Sequence, residues 1–334
     1  MKSHELSDSA IHLAKSTIND PKPMILTHWI ETNATGHIIR YNAYETIKDT
    51  DYDLPAATPV QYKIVAEHAR QKLTDGNYTH VIIACSGWNN YQDDSADLYE
   101  NWTQFTKSAA EGSGTTFNPF LIGFTWASRW IIPGISIWDK ANDADELGMT
   151  HVNRLIWKFL LPALSDLDIP VITIGHSFGA RVLSRAIHSR FLQKNVDLST
   201  TIDKAIDFQG AYPYTRFCAK KGFNGGLYTV DIPVKKHFMT YSEFDYAVKH
   251  AFWSLGYVAD DKSEPALRND AVAKNNFEFT AINDAGKFTA DPGAKQKVLV
   301  DAKAIIKTLK KGAGAHNDVR DKEAGQLIWE IIKP

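Results

Sequence analysis

The sequence predicts an α/β fold built on a mostly parallel central sheet with helices on both faces. Two observations carry that expectation. Short β-branched apolar runs, "THVIIACSG", "NPFLIGFTW", "IPVITIG" and "KAIDFQG", alternate with longer stretches of helical period. The runs are apolar throughout rather than every second residue, as strands covered on both sides must be.

In chain order, residues 1–20 read as a polar lead-in, and "PMILTHWI" with "HIIRYNAYE" as a hairpin across the turn-forming "ETNATG". Pro59 to Leu73 reads as a helix, with proline tolerated at its start. After the strand "THVIIACSG" comes a polar, acidic and aromatic stretch that passes from loop into helix. Residues 86–117 and 126–150 are expected to border a cleft, the latter carrying Trp126, Trp130 and Trp138. A buried aromatic cluster is the alternative for those rings. "HVNRLIWKFLLPALSDL" reads as a helix bent or ended by Pro162. "GARVLSRAIHSRFL" is a helix whose inner face is Val182, Leu183, Ala186 and Ile187. "KAIDFQG" and "KHFMTYS" read as further strands, and residues 261–300 as an insertion or hairpin. "VDAKAIIKTLKKG" and "RDKEAGQLIWEIIK" read as the last helices. The expectation is a single α/β domain over residues 1–334.

Composition narrows the function classes. The chain has 334 residues, 44% of them hydrophobic, so its core needs neither disulfides nor a structural metal. A net charge of −2 gives no electrostatic reason to expect nucleic acid, and the pairs Lys220-Lys221 and Lys310-Lys311 read as solvated surface. Two cysteines, Cys85 and Cys218, show no zinc spacing. No run is long enough to span a membrane, and the first residues do not resemble a secretory leader. Cytoplasmic placement and secretion after loss of a leader both remain open, and the sequons at Asn33, Asn77 and Asn101 do not decide between them.

The chemistry concentrates in "VITIGHSFGARVL". Gly175-His176-Ser177-Phe178-Gly179 matches GxSxG, with an apolar strand running into it and an amphipathic helix leaving it. A serine on such a turn is pushed out of the fold, and the two glycines let strand and helix approach closely. The helix N-terminus aims backbone N–H groups where an oxyanion would develop, the Phe178 N–H first among them. His176 is expected to pack or to hydrogen-bond locally rather than act as base.

These residues resemble the nucleophile elbow of the α/β-hydrolase family, and among its members the small serine esterases and lipase-like hydrolases. The likeness runs with gaps from about residue 80 to the C-terminus. "IIACSGWNN" resembles the family's oxyanion-loop strand, with Ser86-Gly87 where a His-Gly pair is usual; the resemblance makes the Trp88 N–H the second oxyanion donor. It implies the chain order serine, acid, histidine. "FMTYSEFDYAV" supplies Asp245 as the acid, with Glu243 as competitor, and the glycine-rich "GAGAHNDVRDKEAG" supplies His316 as the base. A serine needs such a base, and a carboxylate fixes the base's tautomer. Trp88, Trp126, Trp130 and Tyr91 are candidates for the wall of a substrate pocket. Arg181 is expected in a structural ion pair.

The function implied is cleavage of a small-molecule carboxylic ester, or a lipid-like one, through an acyl-enzyme, with no metal or organic cofactor. A thioesterase, amidase or acyltransferase would share the triad, and a noncatalytic binding protein would share the fold. Neither substrate identity nor oligomeric state can be read from the sequence.

Overall fold

The computed structural model describes residues 30–32, 38–41, 57–88, 90, 92–124, 126, 128, 137–193, 196–197, 199–218, 232–247, 275–308 and 314–334. Within them β1 (Ile30–Thr32) and β2 (Ile38–Tyr41) form a two-stranded antiparallel sheet separate in hydrogen bonding from a seven-stranded sheet. That sheet is formed by β3 (His80–Cys85), β4 (Pro119–Phe124), β5 (Val171–His176), β6 (Ile202–Phe208), β7 (Val234–Tyr241), β8 (Glu278–Ala281) and β9 (Lys297–Asp301). The order is β4-β3-β5-β6-β7-β9-β8, and every neighbouring pair is parallel. The α/β class expected from the apolar runs is the class observed.

Successive side chains of a strand face opposite sides of the sheet, and the core divides accordingly. Val81, Ile83 and Cys85 of β3 join one apolar cluster; Ile82 and Ala84 join the other. The first is covered by α1 (Ala57–Asp75), by the stretch that begins with α3 (Ile137–Leu147), and by α5 (Phe178–His188). The second is covered by α2 (Gln92–Gly112) and α6 (Lys322–Ile332), which pack on each other. Val182, Leu183, Ala186 and Ile187 of α5 are essentially fully buried, each large side chain stabilising the fold by roughly 1.5–3 kcal/mol.

Several expectations need correction. The described part of 261–300 supplies β8 and β9 to the main sheet, where β9 pairs with β7. β8 and β9 are parallel, so they are not arms of a hairpin. "VDAKAIIKTLKKG" starts on β9, whose strand "KVLVD" includes its Val300 and Asp301, and its described residues 302–308 are turn and loop, not helix. The stretch after β3 passes from loop into helix as expected, most of 86–117 being α2, whose Leu98, Tyr99 and Trp102 are buried in the core. Helical backbone runs from Ile137 through α4 (Leu161–Leu164) and contains two π-helical stretches, Gly148–Val152 and Leu155–Leu160. Pro162 has no N–H to continue the α-helical ladder, and the widened turn directly precedes it. A Cβ at Gly148 would lie 2.5 Å from the Val182 carbonyl oxygen, so this glycine lets the stretch press against α5. No helix among the described residues is long and apolar enough to cross a membrane.

Candidate active site

In a parallel sheet every strand delivers its carboxyl end to the same edge, and loops there meet. β5, β6, β7 and β9 are consecutive neighbours, so residues following them converge. Ser177 follows β5, Gln209 follows β6, Asp245 follows β7, and His316 lies in the 3-10 segment Gly314–Arg320 after β9.

Ser177 caps α5 with φ +56 and ψ −124, a backbone conformation that L residues rarely adopt. It is held there from both sides: its N–H donates to the Phe208 carbonyl at 3.0 Å, and its carbonyl accepts the Ala211 N–H at 3.1 Å. The flanking glycines leave no slack. A Cβ at Gly175 would lie 2.4 Å from Ala180 Cα, and one at Gly179 would lie 2.1 Å from the Cys85 carbonyl oxygen. Phe178 opens α5, so its amide has no acceptor within the helix.

His316 Nδ1 donates to Asp245 Oδ2 at 2.7 Å, both residues being buried. That bond places the ring proton on Nδ1 and leaves Nε2 with its lone pair. Glu243 is exposed, whereas Asp245 is 1% exposed, and Asp245 is the carboxylate that meets the ring. His176, beside the serine, donates from Nε2 to the His316 carbonyl at 2.9 Å, and the two rings lie 4.5 Å apart. Burial first, then the His316 ring, hold His176 well below the usual histidine range and therefore neutral. No hydrogen bond joins Ser177 to His316: Ser177 Oγ has no partner among the described residues.

The loop after β3 lies against the serine. A Cβ at Gly87 would sit 2.7 Å from Ser177 Cβ and 3.2 Å from Ser177 Oγ. Asn90 Nδ2 donates to the Gly87 carbonyl at 3.0 Å, and Arg320 reaches Asn90 Oδ1 and the Asp94 carbonyl, each at 3.3 Å. The loop is thus tied to the segment that carries His316. The backbone N–H of Trp88 has no acceptor among the described residues, nor does its buried indole N–H.

Trp126 is 6% exposed and donates from its indole to the Ser86 carbonyl at 3.1 Å, bracing this loop from the core side. Tyr91 and Trp130 lie outside the described residues. Arg181 makes a bidentate pair with Asp145 at 2.9 and 2.8 Å, and Arg216 shares the same carboxylate. Burial opposes the Asp145 charge, but the two guanidiniums outweigh it and hold the carboxyl below its usual range. Burial pushes the Cys85 thiol far up, so it is a packing group.

Sequence reasoning missed Gln209. It is buried with φ +45, and its Nε2 donates to Asp245 Oδ2 at 2.9 Å. The only sequence signal is its place between the end of an apolar strand and Gly210.

No family model matches the sequence, and no curated protein matches it. Among solved structures, one described as a "putative YdeN-like hydrolase" from Pectobacterium atrosepticum shares 13% identity. The overlap covers 57% of this chain and 77% of that one at a TM-score of 0.25, so the site rests on its own geometry.

Proposed function

We propose that the protein is a serine hydrolase that cleaves a small-molecule carboxylic ester. Ser177 is the nucleophile, His316 the base and Asp245 the acid. The observation that carries the reading is the meeting, at one sheet edge, of a positive-φ serine with an aspartate-paired histidine.

The chemistry follows from the protonation states. Asp245 keeps the imidazole proton on Nδ1, so Nε2 accepts the Ser177 proton as Oγ attacks the substrate carbonyl. Ser177 Oγ is not tied to another acceptor, and the reading requires it to reach His316 Nε2 when substrate binds, as such contacts commonly do. The N–H groups of Phe178 and Trp88 receive the charge that develops on the carbonyl oxygen. His316 then protonates the departing alcohol and activates the water that releases the acyl group from Ser177. The tight contact of Gly87 with the serine supports the oxyanion-loop role of this turn.

The test is a panel of p-nitrophenyl esters, a thioester and an anilide, assayed with the wild type and Ser177→Ala. Ester turnover that disappears in the variant supports the reading. Thioester or anilide turnover without ester turnover replaces the substrate class and keeps the triad. No turnover of any of them by folded wild type counts against the enzyme.

A further inference from the structure

We propose that Gln209 is a positioning residue of this site, locking Asp245 to the turn that holds the nucleophile. The inference rests on the triad reading above and goes beyond it by adding a fourth side chain and its support, Thr240.

The geometry is a chain of linked hydrogen bonds. Gln209 N donates to Thr240 Oγ1 at 2.9 Å, and Thr240 Oγ1 donates to Gln209 Oε1 at 2.8 Å. Gln209 Nε2 donates to Asp245 Oδ2 at 2.9 Å, the oxygen that also accepts from His316 Nδ1. A hydroxyl has a single proton; the alternative acceptor, the Asp207 carbonyl, lies farther away at 3.4 Å. With Oε1 committed to Thr240, the amide must turn its NH2 toward Asp245. The reversed amide would set its oxygen against a carboxylate. The orientation therefore follows from chemistry.

Gln209, Thr240 and Asp245 are 3%, 5% and 1% exposed, so water does not readily replace these bonds. Gln209 also holds φ +45, a conformation disfavoured for a side chain of its size. Its turn binds the serine on both sides, through the Phe208 carbonyl and the Ala211 N–H. One short turn thus grips the nucleophile with its backbone and the acid with its side chain.

Two effects follow. The Gln209 side-chain Nε2–H fixes where Asp245 points, and hence the plane of the His316 ring. It also draws charge from the oxygen facing that ring. Without it, more negative charge faces the imidazole and favours its protonated form, which cannot act as base. Among the described residues, ionisable groups near the pair include His176 on β5, held neutral by burial, Arg320 on the His316 segment, and the exposed Glu243 beside Asp245.

The experiment compares wild type, Gln209→Leu, Thr240→Val and Thr240→Ser on an ester, with thermal melts to confirm folding. Loss of a hydrogen bond to a charged group should lower kcat about 10- to 100-fold in Gln209→Leu with KM little changed. The acidic limb of its kcat/KM profile should move to higher pH. Thr240→Val should reproduce both effects, and Thr240→Ser, which keeps the hydroxyl, should restore near wild-type behaviour. If Gln209→Leu fails to fold, the Thr240 pair reads the same arrangement from its other end. An active wild type labelled at Ser177, with variants of unchanged kcat and superimposing pH profiles, overturns this inference alone. A wild type that neither turns over nor labels overturns the triad and the inference with it.

Discussion

Replacing Gly87 with alanine should silence the site while leaving the protein folded. The φ of Gly87 lies outside the left-handed region, so alanine is not excluded by backbone conformation. Space is the problem. The new Cβ would meet Ser177 Cβ at 2.7 Å, the His176 carbonyl at 3.0 Å and Ser177 Oγ at 3.2 Å. Carbon atoms in contact prefer roughly 3.5–4.0 Å, so the overlap with Ser177 Cβ is about 1 Å. Ser177 cannot retreat, because its backbone is pinned to Phe208 and Ala211 and the elbow glycines already touch β3 and α5. The loop after β3 must move instead, taking the Trp88 amide with it. A displacement of about 1 Å at a reacting centre can lower the rate ~100-fold, while overpacking destabilises by about 1–3 kcal/mol. The assay is the second-order rate of fluorophosphonate labelling, with a thermal melt beside it. Gly112→Ala is the control, since a Cβ there meets nothing within 4 Å. Labelling of Gly87→Ala within about threefold of wild type would refute the proposed approach of this loop to the serine.

Other predictions follow from buried charge. Asp145→Ala leaves Arg181 and Arg216 without their shared carboxylate, both being nearly buried, and should destabilise by about 3–5 kcal/mol in urea unfolding. Arg70→Ala, which breaks a solvent-exposed pair with Asp166, should leave the midpoint unchanged, and a comparable loss in both variants would contradict the argument. Burial lowers His176 and His188 well below 6.5, and burial with the Lys204 charge lowers His80 to about 4. A group depressed in the folded state destabilises as pH falls below its unfolded value, because the unfolded chain then binds more protons. Stability should therefore hold above 6.5 and decline below it, by on the order of 2 kcal/mol from His80 near pH 5, with His176 and His188 acting in the same direction. Urea midpoints from pH 7.5 to about 5 measure this, and a flat profile would show that these rings are not held neutral.

The parts of this fold legible in the sequence are those where one physical pattern acts alone. The runs of β3, β5 and β6 are apolar because both sheet faces are covered. The turn at Ser177 stands out because two glycines sit between a strand and an amphipathic helix. β8 escaped because it is short and only partly buried, and its alternation resembles a hairpin arm. The aromatic rings are ambiguous by composition: nothing in the residue pattern shows that the Trp126 indole donates to the Ser86 carbonyl. Asp245 stands ahead of Glu243 in the sequence through the resemblance, and the turn after β7 is what brings its carboxylate to His316. Gln209 was invisible because its role depends on a positive φ and on a partner 36 residues away.

The most direct test of the account is to react the folded protein with a fluorophosphonate and map the adduct by mass spectrometry. Wild type should carry it on Ser177, Ser177→Ala should carry none, and His316→Ala should react about 100-fold more slowly or worse. No adduct on folded wild type, or an adduct on a different serine, would contradict the assignment of Ser177 as an activated nucleophile.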